Sequence, residues 1–327
     1  MASTQIKLGI ATISLGWHSS HTLEQKLKSA SDNGYEGVEM VYSDLQKYAE
    51  SHNLSMIDAS RQIRDFCTEL KLGIICLCAF TEFEGSSKRL DERLEKAKNW
   101  VNIARALGTD TIQVPSNEAP NCSGDESIIV SELQQLADLG KQCGTVIKFA
   151  YEALAWGVHV ALWEDSLRIV NMVNRDNFGL CLDTYHILSR VWADPRAPSG
   201  RAPGGDFALR ASTERFLKEC PLEKIFYLQL SDAEKQDKPI LPGHPAFDIN
   251  KDPTETWCFH GRLFPYQTDM GAYFPLDDIL RAWLKEKGWS GYCSMEIFHR
   301  DMKERLGPEF WAREGAKSWK TVLSKLE

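Results

Sequence analysis

Apolar positions along the chain follow two different spacings. Short, nearly continuous apolar runs fit strands that are buried on both faces, as in a parallel sheet. Such runs predict strands at Leu8–Ile13, Gly37–Tyr42, Gly73–Phe80, Thr111–Pro115, Ile147–Leu154, Phe178–Thr184, Ile225–Leu230 and Gly291–Phe298. Between them, apolar residues recur at helical spacing. Leu23, Leu27 and Ala30 share a face before an Asn33-Gly34 stop. Leu90, Leu94, Ala97, Val101 and Ala104 form a longer stripe ending at Leu107-Gly108. Glycine just past the last periodic residue is a helix stop signal. Ile128 to Leu139 and Leu162 to Val173 repeat the pattern, and Pro308 to Leu326 predicts a terminal helix with Trp311, Trp319 and Val322 inward.

Strands alternating with helices predict a parallel sheet. Eight such units in one chain predict an α/β fold, a single (β/α)8 TIM barrel filling residues 1–327 as one domain. Two stretches break the rhythm. Trp192 to Asp206 is rich in proline and glycine, and Ser231 to Pro275 is long and contains Leu241-Pro242-Gly243-His244-Pro245. They follow strands six and seven, so a barrel places them at the C-terminal face, where active sites form. Long loops of this kind are usually functional. Phe247, Trp257, Phe259, Phe264, Tyr266, Tyr273 and Phe274 in the second predict an ordered lid.

Composition narrows the partners. A hydrophobic fraction of 43% and a charged fraction of 26% exclude a wholly disordered chain. The net charge of −8 argues against wrapping a nucleic acid, whose phosphates call for a basic surface. No apolar run is long enough for a membrane helix. Met1 to Lys7 lacks the basic and apolar regions of a signal peptide. There are nine cysteines without a CxxC pair, and Cys76, Cys78, Cys181 and Cys293 lie in apolar runs. Reduced, buried thiols in a cytoplasmic protein are expected. The expected partner is a small molecule; a homo-oligomer is compatible with the sequence.

Candidate chemistry sits in the second half of the chain. The last four predicted strands each carry a polar residue near the C-terminal end: Glu152, Asp183, Gln229 and Glu296. A carboxylate buried in an apolar strand is costly unless it is paired or binds a metal. Three of them converging would repel, and a divalent cation removes that penalty. Three carboxylates and an amide oxygen favour Mg²⁺ or Mn²⁺, with Co²⁺ as a further candidate. His186 follows Asp183 by three residues and is a candidate general base. His299 stands at the same offset from Glu296, and His244 lies in the second loop. Glu39 ends strand two and is a candidate for substrate contact.

The order Glu152, Asp183, Gln229, Glu296 resembles the metal-ligand set of the xylose-isomerase-like barrels, many of which carry His where this chain has Gln229. Leu182-Asp183-Thr184-Tyr185-His186, Phe80-Thr81-Glu82-Phe83-Glu84-Gly85, Arg262-Leu263-Phe264-Pro265 and Gly271-Ala272-Tyr273-Phe274-Pro275 are similar to the fungal 3-dehydroshikimate dehydratases of quinate catabolism. That resemblance implies a metal-dependent hydro-lyase that converts 3-dehydroshikimate, a small carboxylate, to protocatechuate. It implies the four ligands named above, with His186 as the base; the acid for the departing hydroxyl stays open, His186 included. It also implies an Arg-Asp pair in bacterial members where this chain has Thr81-Glu82. Arg262, Arg201 or His244 in the loops are then candidates to hold the substrate. Three rivals share the fold: a sugar isomerase or epimerase, an inactive metabolite-binding barrel, and a histidine-rich endonuclease IV, which the few strand-end histidines and the charge disfavour.

Overall fold

The computed structural model describes residues 6–304 and 306–327. Met1 to Gln5, which carry most of the signal-peptide reading, lie outside them. The strands are β1 (Ile6–Ala11), β2 (Gly37–Val41), β3 (Gly73–Cys78), β4 (Thr111–Pro115), β5 (Lys148–Glu152), β6 (Phe178–Asp183), β7 (Ile225–Leu230), β8 (Asp232–Ala233), β9 (Arg262–Leu263) and β10 (Gly291–Met295). Eight close into a barrel in the order β1-β10-β7-β6-β5-β4-β3-β2, every pair parallel. This is the (β/α)8 TIM barrel the alternation predicts.

Most predicted strands run too far at their C-terminal ends. Thr12–Leu15 forms a 3-10 turn, and Tyr42 and Thr184 start helices. Phe80, Leu154 and Ile297 lie beyond the last paired residues, yet all three are buried. Apolar character reports burial, and at the barrel mouth burial outlasts ladder pairing. Helices Leu23–Asp32, Leu90–Leu107, Glu126–Gly140, Trp163–Val173 and Pro308–Leu326 fall where the periodicity puts them. Thr22 caps the first with a capping box, and Gly34 and Gly108 turn the chain at φ 82° and 77°. Helices Tyr42–Ser51, Met56–Glu69, Thr184–Val191 and Gly205–Glu219 add to these.

The two irregular stretches pack together over the C-terminal mouth. The stretch from Ser231 to Pro275 contains helix Pro253–Gly261, and antiparallel β8 and β9 pair Asp232 with Leu263 and Ala233 with Arg262. Asp232 is buried, and its carboxylate accepts backbone hydrogen bonds from Ala233, Tyr266, Tyr273 and Phe274 at 2.8–3.2 Å. One side chain thus gathers two distant points of the lid, Tyr266 and Tyr273-Phe274. Trp192 of the other loop meets Tyr273 at 5.3 Å, and Trp257 meets Phe274 at 5.6 Å. The aromatic residues do supply ordered packing.

At the other seam the terminal helix seals the barrel. Tyr35 Oη donates to Ala312 O at 3.0 Å, and Ser318 Oγ to Pro265 O at 2.7 Å. Gly315 permits this approach, since a Cβ there would collide with the Tyr35 hydroxyl. Trp311 and Val322 face inward as expected, and Trp319 is buried with them.

Candidate active site

Parallel pairing brings the polar strand ends to one level. Asp183 on β6 is registered with Gln229 on β7, and Gln229 with Ser294 on β10; Glu296 follows the end of β10. Glu152, Asp183, Gln229, Glu296 and His186 are all buried. The structure therefore brings together the four predicted strand-end residues and the histidine.

His186 is fixed by its backbone neighbour. The Ala155 N–H donates to Nδ1 at 3.0 Å, so in the neutral ring the hydrogen resides on Nε2. Nε2 lies 3.7 Å from Glu152 Oε1 and 3.7 Å from Asp183 Oδ2. Burial holds this imidazole down to about 4, with Asp183 opposing and Arg262 adding to the effect. At neutral pH the ring is uncharged, and these are contacts to a neutral N–H rather than ion pairs.

Arg262 is the principal cation of the site. Its Nη2 lies 2.5 Å from Asp183 Oδ2, Nη1 lies 3.0 Å from Glu296 Oε2, and Nε donates to Ser231 Oγ at 2.9 Å. The guanidinium sits over the rings of Tyr185 and Phe298, 5.1 and 5.4 Å from their centroids. All three nitrogens are engaged by the protein, so Arg262 partners the site carboxylates before any substrate.

The carboxylates still outnumber it. Burial, then the charges of Asp183 and Glu296, push the Glu152 carboxyl well above its ordinary range. Burial raises Glu296 to about 8 even though Arg262 opposes. Gln113 Nε2 donates to Glu152 Oε2 at 3.0 Å, leaving the buried Oε1 without a partner. Three carboxylates face one guanidinium, a formal charge of −2 that a divalent cation would offset. Ligand atoms of Glu152, Asp183 and His186 lie within 4.8 Å of one another. Hydrogen on Nε2 leaves His186 a donor there, so the oxygens of Glu152, Asp183 and Glu296 are the natural ligands. The hard, oxygen-rich set suits a divalent metal.

Gln229 is tied into a relay. Its Oε1 accepts from Gln113 Nε2 at 3.3 Å and Cys181 Sγ at 3.3 Å, and its Nε2 donates to Glu39 Oε2 at 2.9 Å. Gln113 thus links Gln229 to Glu152, a role the strand-end pattern misses. The signal was available, since Gln113 is a polar residue within the apolar strand Thr111–Pro115.

Above the carboxylates lies a cavity of about 320 Å³. Leu154, Trp156, Phe259 and Phe298 form its walls; Glu152, His186, Arg262 and Glu296 form its polar base, with Lys251 and Thr81 also lining it. Its size and lining suit a small molecule with polar substituents. Lys251 is a further contact missed in the sequence; it pairs with Glu255 one helical turn away.

Other candidates fall elsewhere. Arg201 is exposed, 3.4 Å from Asp206 and stacked on Trp192, on a hairpin formed by the Ala193–Arg201 bridge. His244 lies on the lid against His260, their rings 5.7 Å apart. Proline- and glycine-rich turns direct both residues away from the cavity they were expected to line. His299 is buried facing Glu234 at 3.7 Å, also outside the lining. Glu39 sits below Gln229, accepting from it and from Tyr227 Oη at 2.9 Å, and supports the base of the site. Glu82 is exposed and pairs with Lys88 at 2.8 Å.

Residues 27–322 match the xylose isomerase-like TIM barrel family, and the chain belongs to it. Within this family it is 39% identical to a 3-dehydroshikimate dehydratase of Neurospora crassa, over 98% of this chain and 94% of that protein. It is 32% identical to a 3-dehydroshikimate dehydratase of Pseudomonas putida, covering 89% of this chain but 38% of that longer protein. Among solved structures it matches a xylose isomerase-like TIM barrel/4-hydroxyphenylpyruvate dioxygenase fusion protein with a TM-score of 0.76 at 29% identity, over 98% of this chain and 43% of the other.

Proposed function

We infer that this chain is a divalent-metal-dependent hydro-lyase that eliminates water from 3-dehydroshikimate to give protocatechuate. The near full-length identity to the Neurospora crassa dehydratase carries this reading, and the acidic base of the cavity supplies chemistry consistent with it. Glu152, Asp183 and Glu296 would hold the cation, Mg²⁺ or Mn²⁺ before Co²⁺, and Gln229 would join as the fourth ligand by exchanging an Oε1 hydrogen bond from Gln113 or Cys181 for the ion. A divalent cation bound there supplies a Lewis acid for the substrate ketone. Trp156, Phe259 and Phe298 position the ring and exclude water. The proton lost from the carbon beside the ketone and the ring hydroxyl on the next carbon leave together as one water, and a further ring C–H proton then moves to the ketone oxygen to give the aromatic product. His186 is the proton-handling residue, and its Nε2–H faces the reacting zone. Arg262 holds Asp183 and Glu296 in place through its two Nη atoms, and Lys251 is the cation left to meet the substrate carboxylate.

We read residues 1–327 as one domain acting on a small molecule. No described helix is long and apolar enough to cross a membrane. The nine cysteines are unpaired, which suits a reducing compartment, and we place the chain in the cytoplasm.

The direct test is incubation with 3-dehydroshikimate and Mg²⁺ or Mn²⁺, following protocatechuate by its ultraviolet absorbance. Product should form, stop with EDTA and return on adding metal. No product with metal present, in a folded protein, would sink the dehydratase reading.

A further inference from the structure

Beside the proposed cation site, toward the C-terminal ends of β2 and β3, lies a second cluster of ligand-type atoms. Glu39 on β2 and Cys76 and Cys78 on β3 each place one ligand atom within 4.8 Å of the others'. The strand pattern causes this. Residues two apart on a strand share a face, so Cys76 and Cys78 both point inward, and Glu39 is registered directly with Cys76.

All three side chains are buried. Glu39 Oε2 accepts from Tyr227 Oη and Gln229 Nε2 at 2.9 Å each, and from Cys76 Sγ at 3.6 Å. Glu39 Oε1 makes no hydrogen bond of good geometry although its residue has no exposed surface; the Ser294 hydroxyl, likewise unbonded, is its polar neighbour. A buried carboxylate oxygen left unpaired costs free energy that a cation would recover. None of these three residues lines the cavity above Glu152. Cys78 instead lines a neighbouring opening of about 470 Å³ with Val41, Tyr42, Ala79 and Trp100.

Donor chemistry separates the two clusters. In the first, His186 is a donor and the ligands left are oxygens, which suit a hard cation. The second offers two sulfurs and one oxygen, which select a thiophilic ion such as Zn²⁺ or Cd²⁺. Bonds of about 2.3 Å to sulfur and 2.0–2.2 Å to oxygen in a tetrahedral ion place neighbouring ligand atoms about 3.5–3.8 Å apart. That spacing falls inside the observed limit.

We propose that Glu39, Cys76 and Cys78 form a binding site for a thiophilic divalent cation, distinct from the hard-metal site beside it. Binding exchanges the thiol protons for the ion, and the protons pass to solvent. There is no oxidation or reduction. The site does not rest on the dehydratase reading, because the two cysteines take no part in the proposed reaction and Glu39 meets the first site only through its hydrogen bond from Gln229.

The test uses the whole chain saturated with Mg²⁺, which is spectroscopically silent. Cd²⁺ is titrated in, and the sulfur-to-cadmium charge-transfer absorbance is followed. One Cd²⁺ per chain should bind with a thiolate band while excess Mg²⁺ is present. Cys76→Ser and Cys78→Ser should each lower the affinity by about tenfold or more and reduce the band. Glu39→Gln should lower the affinity and keep the band. Cys143→Ser, at the exposed cysteine, should change neither. Each serine variant differs from the parent by one atom, and its fold is checked by circular dichroism; if one fails to fold, the other decides. A wild-type protein without a thiolate band overturns the proposal. So does a band that survives both serine substitutions, or Cd²⁺ that excess Mg²⁺ removes.

Discussion

The ring of His186 can meet the substrate through one nitrogen, because the Ala155 amide occupies the other. Sequence spacing makes this residue a base, whereas the hydrogen bond makes its Nε2 a donor. The two roles separate on substitution. A glutamine side chain keeps an N–H but cannot take up a proton. Against His186→Ala, whose turnover should fall by about 10²–10⁴, His186→Gln should retain roughly tenfold more activity. Equal loss in both variants would favour the base. Arg262 makes a second prediction. Arg262→Met leaves Asp183 and Glu296 buried without their partner, which should cost about 3–5 kcal/mol of stability in chelator. Adding Mn²⁺ should recover much of the lost Tm, because the ion takes over the same charges; an unchanged Tm in chelator would show that the pair is not structural. For Lys251→Met, KM for 3-dehydroshikimate should rise about tenfold with kcat little changed. A shift in kcat alone would remove Lys251 from substrate binding.

At the scale of elements, the loops over the mouth are held by carboxylates that face backbone amides. Glu84, after β3, accepts from the Asn117 N–H at 2.7 Å and Tyr151 Oη at 2.9 Å, and burial raises it to about 7. An acid whose folded pKa is raised contributes stability that is fully present below its unfolded value, near 4.5, and lost as pH rises through about 7. Wild-type Tm should therefore fall relative to that of Glu84→Gln between pH 5 and pH 8. Parallel curves for the two proteins would exclude Glu84 as the cause. Legibility divides along the same lines. β4, β7 and the terminal helix run from the predicted first residue to the predicted last, because glycine, proline or charge brackets their apolar runs. Helix Tyr42–Ser51 was not legible, since it begins on the residue after β2 with no turn signal between. The strand-end acids stood out as charges inside apolar runs. Gln113 obeyed the same rule without a charge to mark it, and the Ala155 amide, being backbone, left no trace in the sequence.

For the molecule as a whole, the four proposed ligands come from four successive barrel strands, so a bound cation fastens β5, β6, β7 and the end of β10 together. A cation that binds only the folded chain adds about 2.7 kcal/mol at a hundred times its Kd. The Tm of the wild type should rise with Mn²⁺ concentration, and Glu152→Gln or Asp183→Asn should abolish most of the rise. A metal-independent Tm in the wild type would argue against occupancy of the site. The formal charge of −8 also changes meaning. Glu39, Glu152, Asp183 and Glu296 are buried, so the surface is less acidic than the total suggests.

The first strand of the barrel pairs with the last, Ile6 with Gly291 through Ile10 with Met295. During synthesis on the ribosome, β1 therefore waits for almost the entire chain before one of its edges is covered. Until β10 emerges, β1 and β7 both present open edges, which are templates for pairing with another chain. The partly made protein also lacks Glu296, so a cation cannot gather the complete ligand set before closure. Nascent-chain aggregation, rather than the stability of the finished barrel, is thus where a weak β1–β10 seam would first be felt.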